Sequence, residues 1–147
     1  MTVPDGSPSD SSPAGNGDPR TVLVVDDNAD ERAIQGAMLS HLGYRVAEAS
    51  DGRQAVDRAR TLQPDLILLD VAMPHMDGFA VCRALRADER TRDTAILLFT
   101  ASVVREVREQ ASAAGANDVL LKPVDPHTVA ERIRSLIGGP RREEDAT

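Results

Sequence analysis

Five times between residues 21 and 137 a short apolar run gives way to a stretch whose apolar positions recur at helical spacing, and this alternation constrains the fold more than any other feature. The runs lie at 22–25, 44–47, 66–69, 95–99 and 119–121. Runs such as Val22-Leu23-Val24-Val25 and Leu66-Ile67-Leu68-Leu69 are continuously apolar, as a strand covered on both faces must be. The pattern predicts an α/β domain: a five-stranded parallel sheet with crossover helices. Asn28 caps the first helix, whose apolar positions Ala33, Ile34, Ala37, Met38 and Leu42 precede a stop at Gly43. Asp51-Gly52 opens a helix with Ala55, Val56 and Ala59 on one side, and Asp77-Gly78 one presenting Phe79, Cys82 and Leu85. Val103, Val107, Ala111 and Ala114 face inward on the fourth helix, which stops at Gly115. Asp125-Pro126 starts the last, which carries Val129, Ile133 and Leu136.

A chain of 147 residues fits one such domain. With no Trp, one Tyr and two Phe, aliphatic side chains must fill its core. Residues 1–20 hold almost nothing apolar and read as a disordered tail; the folded unit is expected at 21–138, and 139–147 as a charged, solvated tail with no output domain after it. A net charge of -7 without a basic stripe argues against direct nucleic-acid binding. A single cysteine, Cys82, cannot form an internal disulfide, and its place at helical spacing with Phe79 and Leu85 makes it a core residue. No secretory leader opens the chain and no apolar run is long enough to cross a bilayer, so a cytoplasmic protein without membrane contact is expected.

In open parallel sheets, ligands bind beyond the carboxyl ends of the strands. Four of the five runs lead into a candidate there: Asp26-Asp27 after the first, Asp70 after the third, Thr100 after the fourth and Lys122-Pro123 after the fifth. Singly, each has an ordinary structural explanation as a turn, cap or edge hydroxyl. Together they bring three carboxylates, a hydroxyl and an ammonium to one sheet edge. Carboxylates so placed repel one another, and a divalent cation removes the conflict. With only oxygen donors present, and no paired Cys or His, Mg2+ is the expected ion. The dispersed His41, His75 and His127 read as surface residues. Of 17 basic residues Lys122 is the sole lysine, so position 122 calls for a compact ammonium on a flexible stem.

The stretches VLVVDDN at 22–28, LLDVAMPHMDG at 68–78, LLFTA at 97–101, AGAND at 114–118 and LLKPVD at 120–125 resemble, in order and spacing, the receiver domain of bacterial two-component response regulators. The resemblance implies a flavodoxin-like, doubly wound sheet with strand order 2-1-3-4-5. It matches Asp70 to the phosphoacceptor, Asp27 to a direct metal ligand, and Asp26 to an acid that holds the ion largely through water. The Ala72 carbonyl would complete the protein's share of the coordination. Thr100 and Lys122 match the residues that bind phosphoryl oxygens, and the Lys122-Pro123 bond is expected to be cis. It further implies phosphoryl transfer from a histidine kinase or phosphotransferase, a switch read by an effector on the helix 4/strand 5/helix 5 face, and a monomer or weak phosphorylation-dependent dimer.

The chain departs from that pattern at Val119, where the family usually carries an aromatic reporter of the switch. Ala72 and Ser102 sit where side chains influence the attacking water and are expected to set the dephosphorylation rate. Two other functions are compatible with the residues. A receiver-like adaptor would bind a partner without phosphorylation, and would keep doing so in Asp70→Asn. A small Mg2+-dependent phosphohydrolase would use Asp70 as nucleophile and show multiple turnover on free phosphate esters.

Overall fold

A computed structural model describes residues 18–101, 105–123 and 125–142. Strands and helices alternate strictly: β1 (Thr21–Val25), α1 (Ala29–His41), β2 (Arg45–Ala49), α2 (Gly52–Leu62), β3 (Leu66–Asp70), α3 (Gly78–Arg86), β4 (Ala95–Thr100), α4 (Arg105–Ala114), β5 (Asp118–Leu121) and α5 (Pro126–Ile137). The five strands form one sheet in the order β2-β1-β3-β4-β5, every pair parallel, as expected. The expected start signals work locally. Asn28, Asp51, Asp77 and Asp125 each accept a backbone N–H bond from the residue three positions on, which satisfies one otherwise orphaned donor per helix.

Alternate residues of each strand feed two cores. Leu23, Val25, Ile67, Leu69, Ile96, Leu98 and Val119 pack under α2, α3 and α4, with Cys82 wholly buried among them. Val22, Val24, Leu66, Leu68, Leu97, Phe99 and Leu120 pack under α1 and α5. Cys82 is therefore a small apolar filler, and burial pushes its thiol up to about 12.

Helix α1 seats differently from its apolar spacing. Its buried residues are Gly36 and Leu39, whereas Ile34 is 68% exposed and Leu42 39% exposed. Gly36 faces β2, where a Cβ would meet Val46 Cγ1 and Glu48 Oε2 at 3.4 Å, an ordinary contact distance. Arg32, one turn earlier on the same face, bonds back to the Asp26 carbonyl at 2.7 Å and to Glu48 at 3.0 Å. Of the apolar positions at helical spacing, Met38 packs against the core while Ala33, Ile34, Ala37 and Leu42 are exposed, since periodicity assigns no inward role to a glycine or an arginine. The fourth helix keeps Ala111 and Ala114 inward as expected, while Val103 lies outside the described residues.

Ordered structure also reaches past the composition boundaries at 20 and 139. Pro19 and Arg141 form an antiparallel bridge, and Arg20 donates to the carbonyls of Pro140 (2.7 Å, backbone), Gly139 (2.7 Å) and Arg141 (2.8 Å). Arg142 pairs with Asp65 at 2.8 Å. The two flanks satisfy each other's backbone groups, so local composition alone does not decide their order. No helix among the described residues is long and apolar enough to cross a membrane.

Candidate functional site

Because all five strands run the same way, their carboxyl ends share one edge, and the chemistry-bearing residues follow from the register. Asp70, the last residue of β3, pairs with Phe99, and Thr100 stands one position further along β4. Asp26 and Asp27 leave β1, and Lys122 leaves β5 beside Thr100, whose carbonyl accepts its N–H at 2.7 Å. Asp26, Asp70 and Thr100 are buried, at 2%, 6% and 7% exposure, while Asp27 faces solvent. Asp26, Asp27 and Asp70 each present a carboxylate oxygen within 4.8 Å of the other two. The Lys122 ammonium reaches into this cluster, 3.3 Å from Asp70 Oδ2 and 3.9 Å from Asp26 Oδ2.

Backbone donors fix both buried acids. Asn28 N–H donates to Asp26 Oδ1 at 2.9 Å, and Ala72 N–H donates to Asp70 Oδ1 at 3.2 Å. Even so, burial raises the Asp26 carboxyl to about 6, with the Asp70 charge adding to the rise. Burial likewise raises Asp70, against the pull of Lys122 and the Ala72 N–H. Burial alone would lower Lys122, but the hydrogen bond to Glu31 and the charges of Asp70, Asp26 and Glu31 outweigh it and hold the ammonium above its ordinary value. Two buried acids whose ionised forms are disfavoured, beside a third at the solvent edge, make an all-oxygen site that a hard divalent cation would relieve.

The structure thus brings together Asp26, Asp27, Asp70 and Lys122, and places Thr100 and Ala72 at the same edge. The Lys122-Pro123 peptide is cis. Ser102 lies outside the described residues, and Val119 is buried in the core beneath α4. His41, His75 and His127 are exposed. Two residues of the site escape sequence reasoning. Glu31, in the first turn of α1, has Oε1 3.1 Å from Lys122 Nζ, nearer than either aspartate. Its position four residues beyond Asp27 on a helix leading out of the site was the only available signal. Gly78 packs its α-carbon against the backbone of Asp70 and Val71.

The profile of the Response regulator receiver domain matches residues 22–134. Among curated proteins, the chain is 40% identical over 116 residues to the DNA-binding dual master transcriptional regulator RpaA of Synechocystis sp., covering 79% of this chain and 48% of that one. It is 44% identical over 115 residues to Response regulator PleD of Caulobacter vibrioides, covering 78% of this chain and 25% of that protein. It therefore spans half or less of the length of these relatives. Chemotaxis protein CheY4 of Vibrio cholerae superposes with a TM-score of 0.78 at 34% identity, covering 81% of this chain and 99% of that one. The receiver domain of a Pseudomonas aeruginosa sensor histidine kinase, solved with a magnesium ion coordinated in its active site cleft, gives 0.76 at 36% identity, covering 83% of this chain and all of that one (100%). Profile, sequence relatives and fold agree on one family: the chain belongs to the receiver domains of two-component response regulators.

Proposed function

We propose that the protein accepts a phosphoryl group on Asp70 from a phosphohistidine, borne by a histidine kinase or histidine phosphotransferase, and passes the signal to an effector protein. The observation that carries the reading is the Asp70 carboxylate, buried at the sheet edge, 3.3 Å from the only lysine in the chain and clustered with Asp26 and Asp27. An Asp70 oxygen attacks phosphorus; the P–O bond forms as the P–N bond to the donor imidazole breaks, and the imidazole leaves. With a small acyl phosphate the bond broken is P–O and a carboxylate leaves. Lys122 donates hydrogen bonds to the phosphoryl oxygens as charge builds on them. Asp26, Asp27, Asp70 and the Ala72 carbonyl would hold Mg2+, which when bound supplies further positive charge against the same oxygens. Water later hydrolyses the acyl phosphate, so the mark is temporary, and the side chain at Ala72 influences how fast.

Thr100, at the end of β4, hydrogen-bonds the new phosphoryl group and biases an inactive-to-active equilibrium read at α4, β5 and α5. With Val119 in place of an aromatic ring, the usual aromatic coupling of Thr100 to that face has no ring to act through. The protein acts as a phosphoaccepting module in the cytoplasm, catalysing only its own phosphorylation and slow dephosphorylation. The test is incubation with Mg2+ and acetyl phosphate followed by intact mass. A phosphoryl adduct on the wild type, lost in Asp70→Asn and under chelation, is the expected result. No adduct on the wild type overturns the reading.

A further inference from the structure

Lys122 has three donor hydrogens and three carboxylates around it, and the nearest of the three is Glu31. The Glu31 side chain is 47% exposed and touches Asp26 as well as Lys122, yet it is not one of the three acids whose oxygens cluster. Its backbone is fixed: Asn28, the cap of α1, accepts the Glu31 N–H at 3.0 Å. Glu31 and Lys122 together border the groove that opens between α1 and the β5–α5 connection, next to Phe99 and Pro123. The same ammonium lies 3.1 Å from Glu31 and 3.3 Å from Asp70 Oδ2, so the two carboxylates divide its hydrogens and its charge.

We propose that Glu31 is a positioning residue for Lys122: it draws the ammonium toward the α1 side of the edge before phosphorylation, and that pull opposes the shift of Lys122 onto the transferring phosphoryl group. The role rests on Asp70 being the phosphoacceptor and adds a determinant of its rate. Glu31 competes with the reacting group for the same cation, which slows phosphorylation by small donors. Removing its charge frees Lys122 earlier along the reaction. Because the pair is partly solvated, the gain is modest, about 3- to 10-fold in the second-order rate constant.

The experiment compares the full chain with its Glu31→Gln and Glu31→Ala variants, using Mg2+ with acetyl phosphate or with phosphoramidate. Acetyl phosphate carries more negative charge than phosphoramidate, so the two donors separate Lys122 positioning from bulk repulsion of anions. Release of Lys122 raises the rate with both donors. A rise confined to acetyl phosphate, or no rise, overturns the proposal. Lysine-selective 13C labelling gives a second readout, because Lys122 is the only lysine and yields one side-chain spin system. Its ε-CH2 signals are expected to move in both variants, whereas unchanged signals overturn the contact itself. Absence of any adduct on the wild type with either donor overturns the phosphoacceptor reading and this role with it. The lysine spectra remain a separate measure of the Glu31–Lys122 contact.

Discussion

Gly78 and Asp70 meet backbone to backbone: a Cβ on Gly78 would lie 2.8 Å from the Asp70 carbonyl oxygen and 2.8 Å from the Val71 α-carbon. The Gly78 N–H donates to the Val71 carbonyl at 2.9 Å, so the start of α3 is locked against the end of β3. In Gly78→Ala the backbone carrying Asp70 must shift, since no flexible side chain is there to yield. A loss of ~1–3 kcal/mol is expected in urea denaturation, as for overpacking elsewhere. Phosphorylation by acetyl phosphate should slow as well, because the proposed nucleophile, Asp70, is displaced. A variant that keeps wild-type stability and rate would show that the contact relaxes without cost.

What the sequence made legible follows from how local each cause is. The caps at Asn28, Asp51, Asp77 and Asp125 act within three residues, and the parallel sheet is written in continuously apolar runs, so both could be read directly. Asp26, Asp27, Asp70, Thr100 and Lys122 were legible because parallel strands bring their carboxyl ends to one edge. Glu31 was not, since its link to Lys122 spans 91 positions and depends on how α1 is rotated. That rotation does not follow from Ile34, because α1 turns Gly36 and Leu39 inward and leaves Ile34 in solvent. The bridge of Pro19 to Arg141 likewise joins two flanks that each look unstructured alone.

Asp26 gives the metal-free protein a defined pH dependence. Its folded carboxyl sits at about 6, above the ordinary 3.8, so the folded state binds that proton more tightly than the unfolded chain. The resulting stabilisation is complete below about pH 4 and is lost as pH rises through about 6. Asp70 is shifted in the same direction by the same cause, burial. In chelator, Asp26→Asn should therefore be more stable than wild type at pH 7, by ~1–3 kcal/mol, and the advantage should vanish near pH 4. Asn keeps an oxygen to accept the Asn28 N–H, so the comparison isolates the charge. Urea melts at both pH values measure it, and added Mg2+ should narrow the gap at pH 7 by stabilising the wild type. Equal stabilities at pH 7 would place the Asp26 carboxyl in the ordinary range.

Ile34 separates two routes to Asp70. It is 68% exposed on α1 and lines a groove of about 460 Å³ with Glu31, Gln35, Phe99, Ala101, Lys122 and Pro123. On the proposed function, a protein donating from a phosphohistidine approaches this edge and covers the groove, whereas acetyl phosphate need not touch it. Ile34→Ser is expected to slow transfer from a phosphorylated histidine phosphotransferase by ~10-fold or more, in the range of an interface anchor. Thermal stability and the acetyl phosphate rate should hold, because the side chain is already in solvent. Equal slowing with both donors would place the fault in the site and not in docking.

Arg86 ties the far end of the domain together. From the last turn of α3 its guanidinium donates to the carbonyls of Thr94 (2.6 Å), Arg92 (2.8 Å) and Gly115 (2.9 Å) and to Asn117 Oδ1 (3.1 Å). These partners lie before β4 and in the α4–β5 turn, so one side chain joins two connections at the edge opposite Asp70. Gly115 sits at φ 99, and a Cβ there would come within 2.8 Å of Arg86 Cγ, so glycine serves both the turn and the arginine stem. Asn117 in turn accepts the Ile96 N–H at 2.7 Å, which carries the network into β4. A lysine at 86 keeps the charge but loses the fork that reaches these acceptors in different directions. Arg86→Lys should lose ~1–3 kcal/mol and Arg86→Ala at least as much, as several carbonyls lose a charged donor together. Urea denaturation measures both. Phosphorylation of the folded fraction should be unchanged, since Asp26, Asp70 and Lys122 draw their positions from the other ends of the strands; a slowed folded fraction would mean that Arg86 also sets the geometry at Asp70.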